Sequence, residues 1–175
     1  MYLSDEMPTV EDSREQEQEA RDFGADLELF DENIISTTLP VNAQTCYELF
    51  CDVARIPEWV TTVRSVQVLA FDDEGRPARA AFLASLGRAS AGYTLEYDYY
   101  ETRRMVTWST PSDMMTRIAG RALFLPLTDR ATMMHYQLDA DWPEALGLGG
   151  MYDGHPASIA LNDFRDFVSR TIMLS

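Results

Sequence analysis

The chain has 175 residues, enough for one domain with a sizeable core, and its apolar content of 46% and charged content of 25% are ordinary for a soluble globular protein. The formal net charge of −15 makes direct binding to nucleic-acid phosphates or to anionic lipid surfaces unfavourable. No apolar run reaches the roughly 18 residues of a membrane span, so we expect no transmembrane segment. No secretory leader is recognisable, and the two cysteines fit buried free thiols, so we expect a cytoplasmic protein.

The N-terminal segment, residues 1–32, is predicted to be an acidic, disordered tail. It holds twelve acidic residues and two arginines, which give −10 of the net charge, and such a composition buries too little apolar surface to offset the entropy of ordering. Residues 26–30 (DLELF) resemble the core of bacterial sliding-clamp-binding peptides, although Asp replaces the usual leading Gln. Leu27, Leu29 and Phe30 are therefore candidates for contacting a protein partner. The alternative is a segment that packs on its own domain or has no role.

A strand and two short helices are predicted after the tail. The strand covers residues 33–39 and is ended by Pro40, and Asn42 is a typical N-cap for the helix that follows. That helix carries an apolar stripe of Ala43, Cys46, Tyr47, Leu49 and Phe50. A second short helix is predicted to carry Trp59.

Antiparallel strands joined by short polar turns follow. The predicted strands are residues 63–71, 76–84, 91–100, 105–109, 115–127 and 132–139. Gly120 lies inside one of them and predicts a bulge or a bend. Turns this short cannot make parallel crossovers, so we expect an antiparallel sheet of about six to seven strands.

The chain ends in an amphipathic helix that is predicted over residues 156–174. Pro156 suits its first turn. One face is apolar, and the carboxylates of Asp163 and Asp166 are assigned to the solvated face. A long helix of this kind covers the concave face of a sheet, which predicts an α+β fold in which the sheet wraps around the helix.

Alternation along the strands places one set of large side chains toward this helix. The set consists of Phe82, Tyr93, Leu95, Tyr97, Trp108, Phe124, Met134, Tyr136 and, from the helix, Phe164. It forms either a filled core or the lining of a ligand cavity, in which the tyrosine hydroxyls could orient a carbonyl or quinone oxygen. Arg79 and Arg117 are the candidates for its mouth, because an Arg stem can stay buried while the guanidinium reaches water.

The sequence carries no catalytic or metal-binding signature. His135 is predicted to point to solvent by strand alternation, and His155 lies in the Gly-rich loop at residues 144–155. Cys46 and Cys51 are five residues apart, which matches no metal-ligand spacing. Neither a phosphate loop nor a Ser-His-Asp pattern is present. We therefore predict no cofactor, no metal site and no catalytic residue.

The order and spacing of several loose motifs resemble the START-like superfamily (SRPBCC), which includes polyketide cyclase/dehydrase and coenzyme-Q-binding proteins. The motifs are AQTCYELFCD at 43–52, IPEW at 56–59, DEGRP at 73–77, YTLEY at 93–97, VTW at 106–108 and TMMHYQL at 132–138. The resemblance runs over residues 33–175 and implies one domain with the helix-grip fold. It also implies a cavity between the sheet and the last helix that holds a hydrophobic small molecule. The glycine that usually follows the Trp-bearing strand in this family would be Gly120.

Three functions remain open at the level of the sequence. The first is non-catalytic binding, sequestration or transport of a lipid, a quinone or a polyketide-like molecule. The second is a polyketide aromatase/cyclase, which needs little more than a shaped pocket and one or two proton-transfer groups. The third is a protein-interaction module with a closed cavity. An acid or base beside the tyrosines favours the cyclase, whereas a cavity too small for a ligand favours the interaction module.

Overall fold

The strands and helices follow the predicted order with small changes in their bounds. The computed structural model describes residues 34–86, 88–141 and 156–175, and Ile35–Ser175 form one unit. The strands are β1 (Ile35–Leu39), β2 (Val63–Phe71), β3 (Pro77–Leu86), β4 (Ala89–Tyr100), β5 (Met105–Ser109), β6 (Arg117–Thr128) and β7 (Ala131–Asp141). The helices are α1 (Ala43–Cys51) and α2 (Pro156–Met173), with short 3-10 helices at Val53–Glu58 and Glu101–Arg103.

Some predicted features lie outside the described residues. These are the acidic tail at 1–32 with the candidate docking side chains Leu27, Leu29 and Phe30, the Gly-rich loop at 144–155 with His155, and Trp142. Their assignments stay predictions. No helix in the ranges that the structure describes is both long and apolar enough to span a bilayer.

The seven strands form one antiparallel sheet in the order β1-β7-β6-β5-β4-β3-β2. The turn between β2 and β3 shows why the chain can reverse so tightly. The Oδ1 atom of Asp72 accepts hydrogen bonds from the backbone N–H groups of Glu74 at 2.9 Å and Arg76 at 2.8 Å. Gly75 has a φ of +78°, which is strained for residues with a Cβ. The predicted turn is therefore present at residues 72–76.

Helix α1 begins at the predicted N-cap. The Oδ1 atom of Asn42 accepts a hydrogen bond of 2.9 Å from the backbone N–H of Thr45, which satisfies a donor that the first turn leaves free. The segment after α1 is a 3-10 helix with Pro57 inside it, and Trp59 stands at its C-terminal end. Pro57 lacks the backbone N–H that a longer helix would use, which accounts for the short helix.

Helix α2 packs its apolar face against the sheet and contacts β1 and β7. Its buried residues are Ala157, Leu161, Phe164, Phe167 and Val168. The ring of Phe164 lies 5.2 Å from that of Phe50 on α1 and 5.0 Å from that of Trp59, measured between centroids. Burying one such side chain contributes roughly 1.5–3 kcal/mol, so this cluster fixes the helix on the sheet. The predicted α+β helix-grip architecture is confirmed.

Gly120 is not at a bulge, so the bulge that was one of the two predicted features at this position is absent. Strand β6 pairs with β7 in continuous register from Arg117 to Pro126. Gly120 lies opposite Trp108 on β5, and a Cβ built there would lie 2.4 Å from Cζ2 of the indole. The glycine therefore provides the space in which the Trp108 ring lies.

Two smaller predictions also change. Strand β6 begins at Arg117, two residues later than predicted, and the Met115 side chain before it is 90% exposed. His135 is half-buried, and its ring shares a hydrogen bond with the Ser36 hydroxyl on the paired strand β1. The edge strand β1 covers part of a side chain that alternation alone assigns to solvent.

Candidate ligand cavity

A cavity of about 150 Å³ lies between the sheet and α2. Its walls come from β3, β4, β5, β6 and β7, from α1 and α2, and from the segment that joins α1 to β2. Seven aromatic side chains line it: Phe50, Trp59, Phe82, Tyr93, Tyr97, Trp108 and Tyr136. Small-molecule sites are typically concave and apolar with a few polar groups, and this cavity has that character.

Six of the nine predicted lining residues lie on the cavity wall. They are Phe82, Tyr93, Leu95, Tyr97, Trp108 and Tyr136. The rings of Phe82 and Tyr93 stack across the β3–β4 pair with 5.2 Å between centroids. Tyr97 and Trp108 are register partners in β4 and β5. Alternation along paired strands brings these side chains together, because residues opposite each other on one face are neighbours.

The other three, Phe124, Met134 and Phe164, are fully buried and lie away from the cavity wall. Phe50 of α1 packs among them: its ring lies 5.6 Å from that of Phe124 and 5.2 Å from that of Phe164. Met134 is the register partner of Phe124. The interior is therefore divided, with α1 filling the part near these three residues and a space remaining near β3 and β4.

The two arginines predicted at the cavity mouth lie elsewhere. Arg79 forms an ion pair with Glu96 on the neighbouring strand, and both side chains are exposed. Arg117 is exposed and borders a separate surface groove near Ser109–Met114. Both therefore lie outside the set of residues that line the cavity.

The structure adds residues that the sequence pattern did not place at the site. The segment Trp59–Val63 forms one wall, and Ile159, Ala160 and Asp163 of α2 form another. Helical spacing is the signal that could have found Asp163, because it follows Ile159 by four residues and Ala160 by three. The segment 59–63 has no periodic pattern that predicts its position.

Asp163 is a half-buried carboxylate on the cavity wall, so its assignment to the solvated face is corrected. Thr61 lies beside it, and the backbone N–H and hydroxyl of Thr61 favour the ionised carboxylate. Burial, and next the neighbouring carboxylate of Asp166, raise the pKa of Asp163 above its ordinary value. Among the described residues that line the cavity, Asp163 alone carries a charged side chain at neutral pH.

The walls of the cavity also carry polar groups. The buried Nε1–H of Trp59 has no hydrogen-bond partner among the described residues. Tyr97 and Tyr136 are 8% and 5% exposed, and burial raises the pKa of both hydroxyls, so each stays protonated at neutral pH. Tyr99, which is not on the wall, instead donates its hydroxyl proton to the carbonyl of Pro77 at 2.6 Å. The cavity thus combines apolar walls with hydrogen-bonding groups that a ligand could use.

Comparisons with known proteins identify structures that have a similar fold. The sequence matches no family model and no curated protein. Among solved structures, it is similar to a START superfamily protein from Mycobacterium smegmatis, with 18% identity, a TM-score of 0.62 and coverage of 79% of this chain and 99% of that one. It is also similar to the Zhui aromatase/cyclase from a Streptomyces species, with 13% identity and a TM-score of 0.58; the match covers 79% of this chain and 93% of that one.

A plant protein extends the comparison. This protein is a point mutant of norcoclaurine synthase from Thalictrum in complex with a transition-state analogue. It has 9% identity and a TM-score of 0.57, and the match covers 79% of this chain and 93% of that one. Identities this low establish the architecture and leave the activity open. The element order, the single antiparallel sheet and these three likenesses agree, and the chain therefore has the START-like helix-grip fold.

Proposed function

We propose that this chain binds a hydrophobic small molecule about the size of one aromatic ring and does not transform it. The observation that carries the proposal is the apolar cavity of about 150 Å³ with seven aromatic side chains on its walls. An apolar cavity of about 150 Å³ is large enough for benzene, whereas sites for drug-sized ligands measure roughly 300–1,000 Å³. A long lipid, an extended quinone or a multi-ring polyketide would need the walls to move apart.

Tryptophan fluorescence tests the proposal directly. Trp59 and Trp108 both line the cavity, so a bound ketone such as acetophenone should quench them. Trp142 is the third tryptophan of the chain, and a Trp142→Phe background removes its signal. A ligand that binds only the folded state also raises the free energy of unfolding, by about 2.7 kcal/mol at 100 times Kd. A naphthyl ketone should bind more weakly than acetophenone if the cavity keeps its size.

A blocking variant and a matched control complete the test. Leu95→Trp adds an indole inside the cavity, and Asp98→Trp adds one on the exposed face of the same strand. We expect Leu95→Trp to fold and to lose binding, and Asp98→Trp to keep it. If Leu95→Trp instead loses about 1–3 kcal/mol of stability and no compound quenches the wild type, the interior is a packed core. The protein-interaction module would then be the better hypothesis.

A polyketide aromatase/cyclase activity is the second candidate, and Asp163 favours it. A cyclisation needs a proton acceptor beside groups that hold a carbonyl oxygen, and Asp163 shares the wall with Tyr97 and Tyr136. The test is incubation with a short poly-β-ketone thioester, followed by chromatography of the products. Formation of a cyclic product by the wild type, and its loss in Asp163→Asn with the fold retained, would support the cyclase over simple binding.

A further inference from the structure

The cavity adjoins a charged cleft on the surface. The cleft is lined by Glu58, Trp59, Thr61, Asp163, Asp166, Ser169 and Arg170. Three of these residues, Trp59, Thr61 and Asp163, also line the cavity. The cavity and the cleft therefore share these three side chains, and we take them as the mouth of the cavity.

The charge at this mouth is negative and only partly balanced. The cleft holds three carboxylates and one guanidinium. Glu58 is paired with Arg55 at 2.9 Å, and the nearest ion-pair contact of Asp166 is to Arg165 at 3.9 Å. Within the described ranges no basic side chain lies in ion-pair distance of Asp163, although the charge of Arg170 and the polar groups of Thr61 favour its ionised form. A half-buried carboxylate in this position is stabilised by any cation that reaches the mouth.

A second observation at the same place points to a ligand. The Trp59 side chain is 4% exposed, and its ring lines both the cavity and the cleft. Its Nε1–H has no partner among the described residues, but it is a donor and does not itself bind an ammonium group. The Phe164 ring packs on Trp59 with 5.0 Å between centroids. An aromatic wall beside a carboxylate is the arrangement that holds organic cations, because ring faces and carboxylates both attract positive charge.

We propose that the molecule held in this cavity is a monocyclic aromatic amine, with its ring between the sheet and α2 and its ammonium group at the mouth against Asp163. This inference rests on the proposed ligand-binding function and specifies the class of ligand. The volume of about 150 Å³ admits one ring. The aromatic walls contact that ring, and the carboxylate of Asp163 accepts a charge-assisted hydrogen bond from the ammonium group.

The same geometry disfavours ligands that carry a negative charge or no charge. A carboxylate ligand of equal size would bring a second negative charge to Asp163, and the described residues that line the cavity include no cationic side chain. The one guanidinium of the cleft, Arg170, already faces three carboxylates. A neutral alcohol would fill the cavity equally well and could donate a hydrogen bond to Asp163, but it carries no positive charge to attract the carboxylate. The predicted order of affinity is therefore amine, then alcohol, then carboxylate.

The experiment compares phenethylamine, phenethyl alcohol and hydrocinnamate, which share a ring and a short chain, by fluorescence titration of the full chain at pH 7. We expect phenethylamine to bind about tenfold more tightly than phenethyl alcohol, because only the ammonium group adds a charge–charge attraction to its hydrogen bond with Asp163. Asp163→Asn should lower the affinity for phenethylamine to about that for phenethyl alcohol, whose own affinity should change much less because the Asn amide oxygen can still accept its hydrogen bond. Asp166→Asn is the matched control, because Asp166 lines the cleft but not the cavity, and it should keep most of the preference.

The outcomes separate the two proposals. Equal binding of the amine and the alcohol to the wild type overturns the aromatic-amine proposal and leaves the ligand-binding function intact. An equal loss of preference in Asp163→Asn and Asp166→Asn also overturns it, because a general negative potential would then explain the selectivity. Absence of binding by all three compounds overturns both proposals. An unchanged melting temperature of the variants confirms that they are folded.

Discussion

At the residue scale, the position of Trp108 in the cavity wall depends on the absence of one Cβ atom. A Cβ at residue 120 would lie 2.4 Å from Cζ2 of Trp108 and 2.7 Å from the carbonyl oxygen of Gln137. The second contact is to backbone that β6–β7 pairing holds in place. The indole would have to move, and it lines the cavity. Gly120 is thus coupled to the candidate site without contacting a ligand itself.

This coupling predicts the effect of Gly120→Ala. Overpacking should lower the free energy of unfolding by about 1–3 kcal/mol and should shift the fluorescence of Trp108. Gly92→Ala is the matched control on β4, because its nearest contact is the Phe82 carbonyl oxygen at 3.8 Å, an ordinary distance. Urea denaturation measures both variants. Equal stabilities for the two would show that Trp108 can move at no cost.

Asp163 gives a second prediction at this scale, from the sign of its pKa shift. Because burial and Asp166 raise the pKa of Asp163, the folded chain holds this proton more tightly than the unfolded chain. The resulting stabilisation is complete below the unfolded pKa of about 4 and is lost as the pH rises through the raised value. Asp163→Asn cannot ionise and avoids that loss.

The melting temperature of Asp163→Asn relative to the wild type should therefore increase between about pH 3.5 and pH 7. Differential scanning calorimetry in the absence of ligand measures this difference. A difference that falls as the pH rises would mean that Thr61 and Arg170, which favour the ionised carboxylate, outweigh burial and Asp166, and that folding stabilises the carboxylate.

At the element scale, α1 determines how much of the interior stays open. Its Phe50 ring contacts Phe124 and Phe164 on one side and also lines the cavity. The start of this helix rests on the Asn42 cap. Removing the cap loosens the first turn of the helix, which precedes the part of α1 that carries the buried Tyr47 and Phe50.

We expect Asn42→Ala to lower the free energy of unfolding by about 1 kcal/mol, which is the usual contribution of an N-cap side chain. Asn162→Ala, at an exposed position inside α2, is the control and should change it by less than about 0.5 kcal/mol. Urea denaturation of the two variants measures both free energies of unfolding. Similar effects at both positions would mean that α1 does not depend on its cap.

The elements also show what the sequence can and cannot predict. Strand alternation identified the inner face, because side chains on alternate residues share a face whatever packs on it. It could not separate Tyr97, on the cavity wall, from Phe124, in the filled core, because the difference depends on where Phe50 of α1 packs. Phe50 and Phe124 are far apart in the chain, and no local pattern records such a contact. Asp163 was assigned to the solvated face for a related reason. Whether a residue at the edge of the apolar stripe on α2 is buried depends on the segments that pack beside the helix.

At the scale of the whole molecule, the distribution of charge is uneven. Residues 1–32 hold twelve acidic residues and two arginines, so −10 of the total of −15 falls in less than a fifth of the chain. We predict that this segment is not needed for the fold of residues 33–175. The chain has no lysine, so trypsin cuts only at arginine, and Arg14 and Arg21 should be cleaved first, as mass spectrometry of the fragments would record. Protection of both sites would show that the segment is packed.

Because most of the net negative charge lies in residues 1–32, deleting this segment can show whether a preference for amines comes from the overall charge or from Asp163. A potential spread over the whole molecule would attract amines to every part of it, whereas in the proposed complex Asp163 would attract only the ammonium group of a ligand in the cavity. Charges more than about 8 Å apart in solvent are largely screened at 0.15 M salt. Deletion of residues 1–32 should therefore leave the preference for phenethylamine over phenethyl alcohol unchanged at that ionic strength, as measured by the same fluorescence titration. If the deletion removes the preference while the melting temperature is kept, the tail supplies the attraction and Asp163 does not.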